Sequence, residues 1–407
     1  MKKFNRALAV LLMLVLTISC IVVAAPVAQA AEAGKYSYES YPSLQSIIGW
    51  EGDRNAAFVY PDGSFNLRTR DLTVNFGVPG AENINWYYKE GYLPCSVSEY
   101  EKDGIRYTIE TFGDKLVFEK DADAGIKKKA TYVMFYSRMT AVNTTEETKA
   151  LPQVSTDLMM PLNDAAKNAT EIAAGATVVR DWCIAGDQFN RYGKVLTNWL
   201  SNDVMAPFVG TFDEHYEHMK TYWNDRLSAI VDIKELPSGA EELIDAFKLG
   251  YIYMMIIKDG DSLLVGEGEY DDWTFDHDFI GELATLAEFG DFTDFEKYLQ
   301  WGIDHKQYPD AYYKCSWPFA VYLQKTGDLE MVRRWWGENK TCANGWEGIQ
   351  VYTRRIEEQR TGPEGIMQWS NAIDSEGYWL VDNWYALFGL TTYKYLADAL
   401  GETEESK

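Results

Sequence analysis

Thr211-Phe212-Asp213-Glu214-His215-Tyr216-Glu217-His218-Met219-Lys220-Thr221-Tyr222-Trp223 is the stretch at which the chain changes its period. Thr211 and Glu214 have capping-box spacing, the hydroxyl and the carboxylate placed to satisfy free N–H groups where a helix begins. Tyr216, Met219, Trp223, Leu227 and Ile230 then recur at helical spacing. Upstream, from about residue 45 to 210, the pattern is β. Ala57-Phe58-Val59-Tyr60 and Ser64-Phe65-Asn66-Leu67 flank Pro61-Asp62-Gly63, a hairpin signal. The segment from Ile105 to Phe112 alternates apolar and polar after Asp103-Gly104, and Thr131 to Val142 is again β-prone. Strands with turns at short intervals predict a large antiparallel β-sandwich.

Downstream, Pro237 breaks the chain before a second capping-box spacing, Ser238-Gly239-Ala240-Glu241. Leu243, Ile244, Phe247, Tyr251, Met254 and Met255 supply the apolar face of the helix that follows. Further helices are expected over 274–289, 293–305, 316–326, 328–336, 346–360 and 382–400. Gly290, Gly327, Gly337 and Gly401 stand where left-handed terminal residues belong. Successive helices with short loops make helical hairpins. The expected organisation is multidomain, β then α: a sandwich over 31–210, a linker helix over 211–237, and an (α/α) helical-hairpin domain over 238–407.

Residues 1–30 combine a basic head (Lys2, Lys3, Arg6), an apolar run from Ala7 and the ending Ala28-Gln29-Ala30, which predicts a secretory signal peptide cut after Ala30. A retained anchor is the alternative, and lipid attachment at Cys20 is disfavoured by Thr17, where such sites want Leu. The chain is thus expected to be secreted, with no membrane contact after cleavage. A net charge of −24 argues against nucleic acid and anionic surfaces as partners. Fourteen Trp in a chain that is 14% aromatic fit cores and equally fit stacking on the apolar faces of sugars. Four cysteines follow the signal segment, and Cys315–Cys342 is the pairing first expected.

The order sandwich, linker helix and helical hairpins resembles the six-hairpin glycosidases, of the bacterial glucoamylase kind. The resemblance covers about residues 210–401 and is carried by Tyr270 to Asp278 with Phe279, Leu283, Leu286 and Gly290-Asp291, by Ser316-Trp317-Pro318-Phe319-Ala320 with Lys325-Thr326-Gly327-Asp328, and by Gly365-Ile366-Met367 with Asp374 and Asp382 to Leu390. It implies an (α/α) barrel, incomplete at its C-terminal end because about seven of twelve helices are legible after residue 238. It implies that Asp278 holds sugar hydroxyls, although His277 stands where the family usually has Arg. It also places the general acid near Asp374 and Glu376, Glu376 preferred.

Read as residues, two acidic clusters can carry chemistry. Glu267, Glu269, Asp271, Asp272, Asp276 and Asp278 precede or open a helix, where capping is the competing role for Asp276. His277 is the histidine beside them, suited to hydrogen bonding a sugar hydroxyl, and Trp273 is a stacking platform or a core residue. Trp369, Asn371, Asp374, Glu376 and Trp379 form the second cluster, with solvated surface acids as the competing reading. Glycoside hydrolysis needs two carboxyl groups, one protonated and one ionised. The expectation is a glycoside hydrolase acting on an oligo- or polysaccharide, inverting, with no cofactor. A non-catalytic carbohydrate-binding protein and a polysaccharide lyase are the alternatives, the lyase disfavoured because uronates want basic sites. His215 and His218, at i and i+3, have metal-ligand spacing without further specified ligands and read as exposed helix residues.

Overall fold

The computed structural model describes residues 35–36, 44–53, 55–67, 72–186, 200–260, 262–264, 275–301, 308–337, 347–372 and 375–407. Its first half is antiparallel sheet and its second half is helical. Seven strands pair in the order β1-β6-β7-β8-β9-β13-β11: β1 Lys35–Tyr36, β6 Ile84–Tyr88, β7 Cys95–Lys102, β8 Ile105–Phe118, β9 Ala130–Asn143, β11 Met160–Pro161 and β13 Thr177–Ala185. A second sheet runs β2 Ser46–Ile48, β3 Ala57–Val59, β4 Phe65–Leu67, β5 Thr73–Val74, and a small pair joins β10 Lys149–Ala150 to β12 Glu171–Ile172. The hairpin expected around Asp62-Gly63 is the β3–β4 pair, Val59 opposite Phe65. Asp103 and Gly104 both have positive φ, 54° and 76°, and make the tight turn that sets Lys102 opposite Ile105.

The two large sheets meet through their apolar faces. Phe65 packs on Phe135 and Phe76 on Trp182, with ring centroids 6.2 and 5.7 Å apart. A Cβ on Gly113 of β8 would come within 2.9 Å of the Gly49 backbone, so no larger residue fits that crossing. Two short helices interrupt the β half, α1 Asp164–Asn168 and α2 Asn202–Met205.

Helix α3, Phe212–Ser228, begins with both halves of the capping box formed. It is no bare linker, because it lies on β8 and β9. Asp114, wholly buried in β8, accepts from His215 Nδ1 at 2.6 Å and His218 Nδ1 at 2.8 Å. His215 is thus largely buried, stacked on Tyr136, and only His218 keeps the exposure expected of both. Among the described residues no group of three or more His, Cys, Asp or Glu is arranged to hold a metal ion.

The second capping box does not form. Helix α4, Glu242–Ile256, starts from Glu241 in helical conformation with no side-chain cap, because the Glu241 carboxylate turns back to accept from Gly239 N at 2.9 Å. Next come α5 Asp276–Phe289, α6 Phe292–Trp301, α7 Pro309–Tyr313, α8 Ser316–Thr326, α9 Leu329–Trp336, α10 Ile349–Glu358 and α11 Leu380–Leu400. Gly290, Gly327 and Gly401 end α5, α8 and α11 in the left-handed region. Gly337 does not: at φ −92° and ψ −172° it leaves α9 in extended backbone.

Helix α8 packs between α5 and α11, while α7 touches α5, α10 and α11. The outer face of α11 exposes Leu380, Trp384, Leu387 and Leu390. No helix among the described residues is long and apolar enough to cross a membrane. Cys95, Cys183 and Cys315 are free and buried, and Cys342, the partner expected for Cys315, lies outside the described residues.

One charged network ties the halves together. Arg226 of α3 meets Glu51 at 2.8 Å and Asp294 of α6 at 2.9 Å, and Lys258, just past α4, meets the same two carboxylates at 3.0 Å. Tyr251 donates to Asp291, 2.7 Å away. Burial alone would raise Glu51 and Asp294, but Lys258 and Arg226 hold both below their ordinary values.

Candidate active site

Acidic groups converge where the first turns of α5 and α11 meet α7. Asp276, the first residue of α5, is buried; its Oδ1 accepts from His277 N at 3.0 Å. The N-cap is Phe275, so Asp276 is not the capping residue. His277 reaches two carboxylates, Asp278 at 3.2 Å through Nε2 and Asp310 of α7 at 3.3 Å through Nδ1, and its ring stacks on Tyr308. Burial alone would lower the imidazole, but the hydrogen bonds to Asp278 and Asp310 prevail and take it up to about 9, so it is a cation at neutral pH.

Asp310 is buried and also pairs with Lys314 at 3.0 Å. Burial opposes its ionisation, and His277 with Lys314 overcomes this and keeps it below the usual range. Lys314 Nζ lies 4.3 Å above the Tyr385 ring of α11. On the first turn of α11, Asp382 is fully enclosed. Ser370 Oγ donates to its Oδ2 at 2.5 Å, while Oδ1 has no hydrogen-bond partner. Burial raises Asp382 and the charge on Asp310 adds to it, so the carboxyl is held above its ordinary value despite Ser370 and Lys314. The positive helix ends favour anions here; at Asp382 burial prevails.

Of the second predicted cluster, Trp369, Asn371, Glu376 and Trp379 are among the described residues. Ser370 and Gly377 exchange backbone hydrogen bonds at 2.9 Å. Glu376 is exposed and makes no hydrogen bond or ion pair among the described residues. Trp369 is exposed in edge contact with Tyr378, their centroids 5.2 Å apart. Asp374 and Trp273 lie outside the described residues, as do the acids from Glu267 to Asp272.

The structure therefore joins Asp278 to Asp310 through His277, whose backbone N–H Asp276 accepts, while Asp310 and Lys314 act by charge on Asp382, which Ser370 bonds. Sequence reasoning missed Asp310, Lys314, Ser370 and Asp382, along with Glu282 on α5. Asp382 was visible as an acid in the first turn of a helix, and Pro309-Asp310 as a helix start. Their burial was not visible, since it comes from the crossing of α7 with α11. No family model matches the chain, and no curated protein does either.

Proposed function

We propose that the protein is a secreted glycoside hydrolase that cleaves oligo- or polysaccharide with paired carboxyl groups, by inversion, in an (α/α) barrel of helical hairpins. The observation that carries this reading is the gathering of Asp276, Asp278, Asp310 and Asp382 at one place with unequal proton affinities, Asp310 held low and Asp382 held high. Such a division of roles is what glycosidic cleavage requires. Trp369, Tyr378 and Trp384, all exposed nearby in chain and fold, offer apolar faces to a sugar ring. The helices α5, α8 and α11, packed in that order with α6, α9 and α10 between them in sequence, fit three hairpins of such a barrel. The apolar head of residues 7–27 and the Ala28-Gln29-Ala30 ending support export.

The exposure of Glu376 favours one second reading, a protein that binds carbohydrate without cutting it. Reducing-sugar release from a panel of α- and β-glucans, wild type beside Asp278→Asn and Glu376→Gln, separates the two. Hydrolysis by wild type that collapses in Asp278→Asn supports the hydrolase. Sugar binding without release by wild type rejects it.

A further inference from the structure

Helix α5 carries a further carboxyl, Glu282, that none of the interactions above employs. Its buried side is Phe279, Ile280, Leu283, Ala284, Leu286 and Ala287. Asp278, Gly281, Glu282 and Thr285 form a part-exposed strip on the other side. Asp278 and Glu282 are one turn apart, so their Cβ atoms stand about 6 Å from each other. Trp317 of α8 reaches the same strip, 4.0 Å from where a Cβ on Gly281 would be, and packs edge-on against Phe388 of α11. Glu282 has no hydrogen bond and no ion pair among the described residues. A half-buried carboxyl one turn from another carboxylate, with no donor among the described residues to hold its charge, favours its proton.

We infer that Glu282, part-exposed where Asp382 is fully enclosed, is the proton donor of this site, an inference that rests on the glycosidase reading. Burial, and after it the charge on Asp278, pushes its carboxyl up to about 8. Among the described residues, the elements packed on α5 supply no cation to reverse this. Asp310 of α7 is engaged with His277 and with Lys314, which caps the end of that helix. On α8, Lys325 pairs with Glu288 at the far end. On α6, Asp294 faces Arg226 and Lys258, Glu296 accepts from Tyr322, and Lys297 lies over Tyr298. In the reaction, the Glu282 O–H bond breaks and its proton goes to the glycosidic oxygen. The C1–O bond breaks at the same time, both electrons leaving with that oxygen. Water adds to C1 and gives its proton to Asp278, which returns it to solvent, and Glu282 is reprotonated.

The test pairs kinetics with infrared titration of Glu282→Gln and Asp278→Asn. Glu282→Gln should lose about 10²–10⁴-fold in kcat on oligosaccharides, yet keep most of its rate on aryl glycosides whose phenol leaves without protonation. Its pH profile should lose the limb near 8, any limb near 9 from His277 remaining. The part of the wild-type carboxylic-acid band that titrates near 8 should be absent in Glu282→Gln and should titrate at lower pH in Asp278→Asn, the part from Asp382 remaining in both. Equal losses on both substrate types, or an acid band unchanged in Glu282→Gln, overturn the assignment while wild-type hydrolysis keeps the glycosidase reading. Absence of hydrolysis by wild type removes that reading, and the donor role with it, whatever the band shows.

Discussion

The Asp382 carboxyl receives one hydroxyl on Oδ2 and nothing on Oδ1, in a place that water does not reach. Its folded value is raised above the ordinary Asp value of about 3.9. The fold thus favours the protonated form: that stabilisation is complete below about pH 4 and is lost as pH rises through the folded value. Asp382→Asn removes the penalty and can keep the Ser370 bond through its amide oxygen. We expect it to melt higher than wild type at pH 7, with the gap closing below about pH 4, and to be catalytically impaired. Thermal melts at pH 3.5 and 7 check this; a lower melting temperature at pH 7 contradicts it. At this scale, Asp276, His277 and Asp278 were legible because clustered acids at a helix start are a local signal. Asp310 and Asp382 gave the same kind of signal, but their roles depend on which side chains other helices bring. Glu282 looked like any polar residue on an amphipathic helix.

Helix α11 crosses α7 backbone to backbone. An ideal Cβ on Gly389 would lie 1.6 Å from Tyr313 O, and Ser316 Oγ, which donates to Gly389 O at 3.0 Å, fixes the approach. The obstacle is main chain and cannot rotate away. Gly389→Ala should therefore cost about 3 kcal/mol or more, at the upper end for overpacking. Chemical denaturation reads it directly, and a loss under about 1 kcal/mol would mean that the two helices are not in contact there. The crossing also positions Asp310 and Lys314 against Asp382, so the variant should lose activity as well as stability. Elements defined by their own ends were legible: the Thr211–Glu214 box, the Ser316 start, and the glycines at 290, 327 and 401. The box at 238–241 failed because a Glu side chain two residues from a Gly N–H bonds it in a turn as readily as at a helix end. The five residues of α7 were too few to display a period.

Across the whole molecule, Arg226 and Lys258 bridge Glu51 of the β half to Asp294 of the helical half. Removing one member leaves its partners charged and partly enclosed. Arg226→Met should cost about 3 kcal/mol, and it should weaken the coupling between halves more than either half. Calorimetry is expected to give one transition for wild type and two for the variant; a single, merely shifted peak in the variant would show that apolar packing alone couples them. The β-then-α order was legible because the change of period at Thr211 is a local property. The network was not, as its members are spread from residue 51 to 294 and each resembles an ordinary surface charge. The three free thiols among the described residues have a different consequence. Cys95 and Cys183 sit in strands of the large sheet and Cys315 at the start of α8, each pushed up by burial, Cys315 to about 12. Alkylation needs thiolate and access, so each sulfur reacts only when its surroundings open. The chain thereby carries native stopwatches in both halves, and the order in which an alkylating reagent marks them records which half comes apart first.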